Sequence, residues 1–223
     1  MATTQDRFAL APANRRRSHR HPEVVKRSID VFIASVGLIV ALPLLLLLAV
    51  AIRLDSPGPV FFRQVRVGRF GEPFRILKFR TMYHQADEEV HKRHLKRLSD
   101  PSNARSLPIR LDNDQRITRM GKILRKWSLD ELPNLWNVVK GEMSMVGPRP
   151  LVPYEVAALD EASRGRLDVK PGVTGLAQVN GRLDCSLEER ADYDAEYAAR
   201  CSIARDLSIL VMTVPALLRR RGI

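Results

Sequence analysis

The chain has 223 residues, with 37 Lys and Arg against 25 Asp and Glu and a net charge of +12. This length allows about one globular domain beside a membrane segment, and the charge predicts an anionic partner such as a phosphate compound, a nucleic acid or an acidic lipid surface. Cys185 and Cys201 are its two cysteines, which excludes a disulfide framework and a cysteine-based metal site. We therefore interpret both as reduced thiols in a cytosolic domain.

Residues 1–22 are polar and basic, which predicts a disordered arm. An uncharged apolar run then extends from Val31 to Ile52, and it is long enough to cross the ~30 Å hydrocarbon core of a bilayer. Pro43 lies at its middle and predicts a kink, because proline lacks the backbone N–H that the helix needs. Basic residues flank the run on both sides: Arg15, Arg16, Arg17, Arg20, Lys26 and Arg27 before it, and Arg53, Arg63, Arg66, Arg69, Arg75, Lys78 and Arg80 after it.

These two basic flanks indicate the topology of the apolar run. Lys and Arg favour the cytoplasmic side of a membrane, and a straight crossing would place one flank on the opposite face. We therefore predict a re-entrant helix–break–helix segment over residues 23–55 that enters and leaves through the cytoplasmic leaflet. A kinked single-pass helix is the alternative, since proline is common in spanning helices. A cleaved signal peptide does not fit, because the apolar run is too long and no small-residue cleavage site follows it.

Residues 56–223 predict a cytosolic domain of α+β class that is mostly helical. Loose alternation with glycine and proline breakers predicts a small β-hairpin over Phe61 to Phe79. Leu207 to Leu218 is apolar but too short to span a bilayer, and three arginines follow it, so we predict an interfacial helix. Helical periodicity and helix-stop signals predict further helices, and polar turn residues predict one loop. The helices cover 83–98, 117–127, 128–140, 151–166 and 187–204, and the loop covers 100–114.

The segment Ser128-Leu129-Asp130-Glu131 has two interpretations. As a capping box, Ser128 and Glu131 would satisfy backbone N–H groups at the start of a helix, where acids also complement the helix dipole. The same location would keep Asp130 ionised and available as a nucleophile, while Glu131 could hold a divalent cation such as Mg²⁺. Arg125 is near enough in sequence to meet a phosphate in the same place.

Two glycine-rich turns follow this segment. Met143 to Pro150 presents Arg149 between two prolines, and Lys170 to Gly175 leads into Gln178 to Arg182. Both turns offer backbone N–H groups that could hold an anion, and both are equally consistent with ordinary loops. The sequence contains no P-loop motif and no dinucleotide-binding glycine motif after a strand. Asp206, before the last apolar stretch, is by itself most simply a helix-cap acid.

Five segments follow one another along the chain: KRSIDVFIASVGLIVALP, SPGPVFFRQ, KFRTM, GKILRKWSLDELPNLWNVVKGEMSMVGPRP and KPGVTGLAQVNGR. In this order they closely resemble the bacterial sugar transferase family, the monotopic phosphoglycosyl transferases that start glycan assembly on a polyprenol carrier. The resemblance covers about Val25 to Leu218, which is nearly everything after the arm.

The resemblance implies both a reaction and a set of site residues. Family members transfer a sugar 1-phosphate from a nucleotide sugar, usually a UDP-sugar, to polyprenol (undecaprenyl) phosphate with release of UMP. This reaction initiates exopolysaccharide, O-antigen or glycoconjugate assembly. The family's Asp-Glu dyad, which works with Mg²⁺, falls on Asp130 as the nucleophile and on Glu131, and both are expected at the metal. The substrate-binding positions that it implies are Lys78, Arg125, Arg149, Arg182 and Asp206.

The resemblance also implies a membrane topology. The family's membrane helix is re-entrant and breaks at a Ser-Pro pair, whereas this chain has Leu42-Pro43 at that position. We expect a catalytic domain on the cytoplasmic face of the bacterial inner membrane, in contact with membrane lipid. No nucleic-acid partner is expected, and a homo-oligomer is an arrangement that the sequence leaves open.

Two other classes of protein compete with this interpretation. A membrane-tethered basic protein could bind anionic lipid or nucleic acid without catalysis. Such a protein would show scattered cations with interleaved aromatic residues and no acidic dyad, whereas this chain is only 6% aromatic and contains the Asp130-Glu131 pair. A polytopic enzyme making the same product needs several spanning segments, and the chain has one long apolar run.

Overall fold

The computed structural model describes residues 23–84, 93, 114–161, 163–180 and 187–218. Nearly all of the helix predicted at 83–98 and of the loop predicted at 100–114 lies outside these ranges, as does the arm. The described chain is mostly helical with a small antiparallel β-hairpin, in agreement with the predicted α+β class.

The chain begins with one long apolar helix, α1 (Glu23–Asp55). Pro43 lies inside this single helix, so the interruption predicted there does not divide α1 into two elements. Only 11% of its most apolar window is buried, which distinguishes α1 from the core helix of a soluble protein. The residues that are buried lie on one stripe at helical spacing: Asp30, Ala34, Leu48 and Ile52.

The predicted hairpin is confirmed. Strands β1 (Phe61–Val67) and β2 (Pro73–Phe79) pair antiparallel, in a register that runs from Phe61 opposite Phe79 to Val67 opposite Pro73. A one-turn 3₁₀ helix, Arg69–Gly71, joins the strands. Since neighbouring side chains alternate between the two faces of a strand, one face of β2 carries Phe74, Ile76 and Lys78.

Helix α2 (Arg119–Trp127) and helix α3 (Asn134–Lys140) follow, separated by the one-turn 3₁₀ helix Leu129–Glu131. Helical periodicity predicts one apolar face for α2, formed by Ile117, Met120, Ile123, Leu124 and Trp127, and this prediction is partly wrong. Leu124 is fully buried, but Ile123 and Trp127 are exposed at 49% and 53%. Helix α2 instead turns Gly121 towards the end of β2, because contact with the Thr81 backbone leaves no space for a side chain there.

The C-terminal half contains a pair of parallel strands that the sequence patterns did not predict. Strand β3 (Ser144–Val146) pairs with β4 (Gly172–Thr174), and these segments had been interpreted only as glycine-rich turns. Four α-helices and one 3₁₀ helix accompany them, and the single helix predicted at 151–166 is replaced by α4 and the 3₁₀ helix. The remaining elements are α4 (Pro153–Ala157), the 3₁₀ helix Ser163–Asp168, α5 (Leu176–Asn180), α6 (Leu187–Ala199) and α7 (Ile203–Leu218).

Both halves of helix α1 pack against the domain along its buried stripe. Its N-terminal half contributes Ala34 to a cluster with residues of β2 and α3, and its C-terminal half contributes Leu48 and Ile52 to a second cluster with Phe79 and Leu124. A third cluster joins β3, α5, α6 and α7 around the buried Tyr197. The turn that carries Asp130 and Glu131 connects α2 and α3, and both of these helices pack on α1.

Candidate active site

The Asp130-Glu131 pair lies on a tight turn rather than at the start of a regular α-helix. Ser128 ends α2 in a left-handed conformation (φ 54°), and its side chain makes no capping hydrogen bond. The capping box predicted at Ser128 is therefore wrong, because a left-handed residue reverses the chain direction and does not present its hydroxyl to the following N–H groups. The cap that does form is at Thr118, whose hydroxyl accepts from Gly121 N–H at 2.9 Å.

Glu131 is bound by two cations from distant parts of the chain. Its Oε1 accepts from Lys78 Nζ at 2.7 Å and from Arg149 Nη1 at 3.1 Å. Lys78 comes from β2, and Arg149 comes from the segment after β3. The structure thus brings the predicted site residues Lys78, Glu131 and Arg149 into direct contact. Asp130, also a predicted site residue, is adjacent to Glu131 on the turn.

The electrostatic environment of these cations is set by burial and by the dyad. Burial lowers the pKa of Lys78, and the neighbouring Glu131 opposes this effect. The pKa of Arg149 is raised, chiefly by Glu131. Asp130 also favours the charged forms of both cations, so it lies within electrostatic range of them. Two carboxylates and two cations therefore share one small region.

A cleft opens beside this cluster. Arg66 lines it and was not predicted as a site residue, although the alternation of β1 and β2 places it opposite Phe74, on the face that carries Lys78. Asn134, at the start of α3, also lines the cleft and was likewise missed. The residues that line the cleft are Arg66, Ile76, Lys78, Glu131, Asn134, Arg149, Pro150, Gly172, Val173 and Gln178.

The other predicted substrate-binding residues are placed differently. Arg125 Nε donates to Thr81 Oγ1 at 2.9 Å, and Asp206 accepts from Lys26 Nζ at 2.6 Å and from the Tyr197 hydroxyl at 2.7 Å. Neither Arg125 nor Asp206 is among the residues that line the cleft, and their roles in substrate binding stay predictions. Arg182 lies outside the described residues.

The acidic pair fits the ligand set of a Mg²⁺ ion that is shared with a substrate. Within the described part of the chain, no group of three or more His, Cys, Asp and Glu side chains could form an all-protein cage. Mg²⁺ usually binds through one or two carboxylates and completes its shell with water and substrate phosphates. Asp130 and Glu131 supply that number of carboxylates beside cations suited to phosphate oxygens.

Comparison with known proteins identifies the family. Residues 21–220 match the family model described as Bacterial sugar transferase. The chain belongs to this family, which confirms the predicted resemblance.

Several curated relatives share this region. The chain is 42% identical over 199 residues to the exopolysaccharide production protein ExoY of Rhizobium meliloti, covering 89% of this chain and 88% of that protein. It is 42% identical to the UDP-glucose:undecaprenyl-phosphate glucose-1-phosphate transferase of Caulobacter vibrioides, covering 86% of this chain and 69% of the relative. It is 39% identical to the undecaprenyl-phosphate galactose phosphotransferase of Salmonella typhimurium, covering 91% of this chain but 42% of that longer protein.

Proposed function

We propose that this protein transfers a sugar 1-phosphate from a UDP-sugar to undecaprenyl phosphate and releases UMP. The observation that carries the proposal is the Asp130-Glu131 turn, whose Glu131 is bound by Lys78 and Arg149 beside a cleft. The names of the relatives from Caulobacter and Salmonella state transfer of glucose 1-phosphate and of galactose phosphate to the same lipid. The product would initiate exopolysaccharide or related glycan assembly, consistent with the name of the Rhizobium relative.

In the proposed first step, Asp130 attacks the phosphorus atom that bears the sugar. A bond forms between its carboxylate oxygen and that phosphorus, the bond to the UMP oxygen breaks, and UMP leaves with the electron pair. Lys78 and Arg149 stabilise the charge on the phosphate oxygens, and Glu131 holds both cations in position. Bound Mg²⁺, held by Glu131 and Asp130, would neutralise the diphosphate.

In the second step, undecaprenyl phosphate attacks the aspartyl phosphosugar. The new phosphorus–oxygen bond forms to the lipid phosphate, the aspartyl–phosphate bond breaks, and the Asp130 carboxylate is regenerated. Because UMP departs before the lipid reacts, the kinetics should be ping-pong.

The proposed topology of α1 is re-entrant, with both ends on the cytoplasmic side. At the N-terminal end, Arg27 donates to the backbone oxygens of Val138 and Val139 at 2.5 and 2.7 Å. At the other end, Asp55 accepts from Met120 N–H at 3.0 Å. A crossing helix would separate its ends by the ~30 Å hydrocarbon core, and a domain on one face could hold only one of them. Contacts from one domain to both ends therefore support the proposal that both ends of α1 lie at the same leaflet.

Exposed apolar residues support contact with the same membrane surface. The middle of α1 exposes Ile39 and Val40 at 72% and 75%, and α7 exposes Leu207 and Val211 at 50% and 72%. We propose that α1 enters the cytoplasmic leaflet and that α7 lies at its surface. The non-catalytic alternative, a tethered basic protein, finds no support in the relatives.

The reaction is tested by product identity. Purified protein is incubated with Mg²⁺, undecaprenyl phosphate and a panel of UDP-sugars, and the released nucleotide is measured. We expect UMP from at least one donor. Release of UDP would contradict the phosphoglycosyl reaction, since it would mean that the bond between the sugar and its phosphate had broken.

The covalent step is tested by labelling. A donor labelled in its sugar should transfer label to the protein when the lipid acceptor is left out, and Asp130→Asn should abolish this transfer. Asp192→Asn, at an exposed acid on α6, is the matched control and should label normally. Normal labelling of Asp130→Asn would remove Asp130 from the role of nucleophile.

A further inference from the structure

Two asparagines on α3 are equally buried but differ in the hydrogen bonds that their side chains make. Asn134 and Asn137 are each 2% exposed. Both polar atoms of the Asn137 side chain make hydrogen bonds within the protein. Its Oδ1 accepts from Leu77 N–H at 3.0 Å, and its Nδ2 donates to Arg75 O and to Glu142 Oε2 at 2.8 and 2.7 Å. Asn137 therefore fastens α3 to β2, which is a structural role.

The side-chain oxygen of Asn134, in contrast, has no hydrogen-bond donor among the described residues. This Oδ1 atom is buried, yet Asn134 lines the cleft beside Glu131 and Lys78. Buried side-chain acceptors are nearly always paired, because an unpaired one has lost its water without gaining a partner. An unpaired acceptor in the wall of a cleft is therefore suited to a donor that a ligand supplies.

Arg66, which lines the same cleft, has a buried donor without a hydrogen-bond partner among the described residues. Its guanidinium is anchored through Nη1 to Pro150 O at 3.1 Å and through Nη2 to Gln64 Oε1 at 2.7 Å. Its buried Nε–H donates to no described residue. Asn134 and Arg66 thus each bring to the cleft one buried polar atom, an acceptor and a donor, that pairs with no described residue.

The chemistry of the acceptor selects the part of the donor substrate that faces it. Ionised phosphate oxygens only accept hydrogen bonds, so they do not satisfy Asn134 Oδ1. A sugar hydroxyl both donates and accepts, and it suits an environment that contains Asn134 Oδ1 and Arg66 Nε. Asn134 is also only three residues from Glu131, and the sugar is joined through its anomeric oxygen to the phosphorus that reacts. The ribose and the nucleobase also carry donors, but they are further along the substrate.

We propose that Asn134 is a sugar-recognition residue, whose side-chain oxygen accepts a hydrogen bond from a hydroxyl of the transferred sugar in the part of the cleft that Arg66 also lines. This inference rests on the proposed function, since it assumes a UDP-sugar donor. It makes Asn134 a determinant of sugar specificity, whereas Lys78 and Arg149 act on the phosphates that all donors share.

The test is a double-mutant cycle between protein and substrate. The rate of UMP release is measured for the preferred donor and for its monodeoxy analogues, with wild type and with Asn134→Ala. We expect wild type to lose about tenfold in kcat/KM with one analogue, corresponding to one lost hydrogen bond. Asn134→Ala should lose a similar factor with the parent donor and nothing further with that analogue.

Control variants separate recognition from folding. Asn137→Ala should lower the melting temperature while keeping the wild-type discrimination between parent and deoxy donors. Asn134→Ser provides a second truncation if Asn134→Ala folds poorly, and it should also lose the discrimination. Melting curves of all variants are recorded beside the kinetics.

Three outcomes would overturn the inference. If every deoxy analogue loses the same factor with wild type and with both Asn134 variants, Asn134 does not contact a sugar hydroxyl, although UMP release would leave the proposed function intact. If the discrimination lost in those variants is against an N3-methyluridine donor instead, the contact is to the base. If wild type releases no UMP from any donor, the proposed function fails and this inference fails with it.

Discussion

Glu131 is the carboxylate of the Asp130-Glu131 turn that two cations hold. One oxygen of Glu131 accepts from both Lys78 and Arg149, and such charge-assisted hydrogen bonds are the strong ones in proteins. Glu131 is therefore suited to hold the cations in position, and the proposed nucleophilic role falls on Asp130. Because Lys78 is one of the cations that Glu131 holds, the protonation of Lys78 should affect the reaction and give it a pH dependence.

Lys78 should determine the alkaline limit of activity. Burial lowers its pKa from the usual value of 10.5, so as pH rises Lys78 loses its proton and its charge earlier than an exposed lysine would. kcat/KM should fall on the alkaline side, because the diphosphate then loses a cation. In Lys78→Arg the side chain stays charged, and the alkaline limb of the kcat/KM profile should move to higher pH.

The control for this measurement is Lys140→Arg, at a lysine whose side chain is 51% exposed. Its pH profile should match that of wild type. An alkaline limb that does not move in Lys78→Arg would show that another group sets it.

At the level of elements, close backbone contacts and ion pairs position the turn. Helix α2 contacts the end of β2 so closely that a Cβ at Gly121 would overlap the Thr81 carbonyl oxygen. Helix α1 is tied to the start of α7 through Lys26 and Asp206, a pair whose side chains are 18% and 10% exposed. These contacts hold the helices on which the active-site turn is built.

Gly121→Ala should destabilise the protein, although the same change inside a helix is normally favourable by up to ~1 kcal/mol. The new methyl group would meet the Thr81 carbonyl, which already accepts a hydrogen bond from Thr118 N–H at 3.1 Å, and such overpacking costs about 1–3 kcal/mol. Thermal or denaturant unfolding measures the effect. Gly165→Ala is the matched control, because no atom lies within 4 Å of its added Cβ. Equal stability of the two variants would contradict the close contact.

Asp206→Asn should loosen α1 from the domain. It leaves the Lys26 charge partly buried, with Asp30 at 3.7 Å as its remaining ion-pair partner among the described residues, and we expect a loss of about 2 kcal/mol. Proteolysis of α1 and the melting temperature report this loss. Glu196→Gln removes a more exposed pair with Arg205 and should change stability little. If Asp206→Asn raises the KM for the UDP-sugar without changing stability, the substrate-binding role implied by the family resemblance is the correct one.

At the scale of the whole molecule, the described domain contacts α1 near both of its ends and leaves its middle exposed. An apolar helix held in this way exposes Ile, Val and Leu side chains along its middle. The arrangement would bring a water-soluble nucleotide sugar and a membrane lipid to the same surface.

The re-entrant topology predicts that both flanks of α1 lie on one side of the membrane. Single cysteines at Ser18 and at Lys122, an exposed position of α2, are placed in a background without Cys185 and Cys201. A membrane-impermeant maleimide should label both positions in inverted membrane vesicles and neither in intact spheroplasts. Labelling of the Ser18 position alone from the outside would show a helix that crosses the bilayer.

Local sequence patterns predict much of this structure. They identify the apolar run, the hairpin and the acidic pair, because periodicity, breakers and motif order are properties of neighbouring residues. Prediction was wrong where the local pattern fits more than one conformation. Ser128 is followed at the third position by a glutamate as in a capping box, yet it is left-handed, and the parallel pairing of β3 and β4 joins two segments that look like turns.

Consecutive residues are sufficient to establish the family, the apolar helix and the identity of the Asp130-Glu131 pair. The fold is needed to show which cations contact Glu131 and which polar groups of the cleft pair with no described residue. Lys78 and Arg149 are 53 and 18 positions away from Glu131, and no local rule connects them. The hydrogen bonding of Asn134 likewise depends on the residues that the fold places around it. Its sequence neighbours alone do not show that its side-chain oxygen is buried without a partner among the described residues.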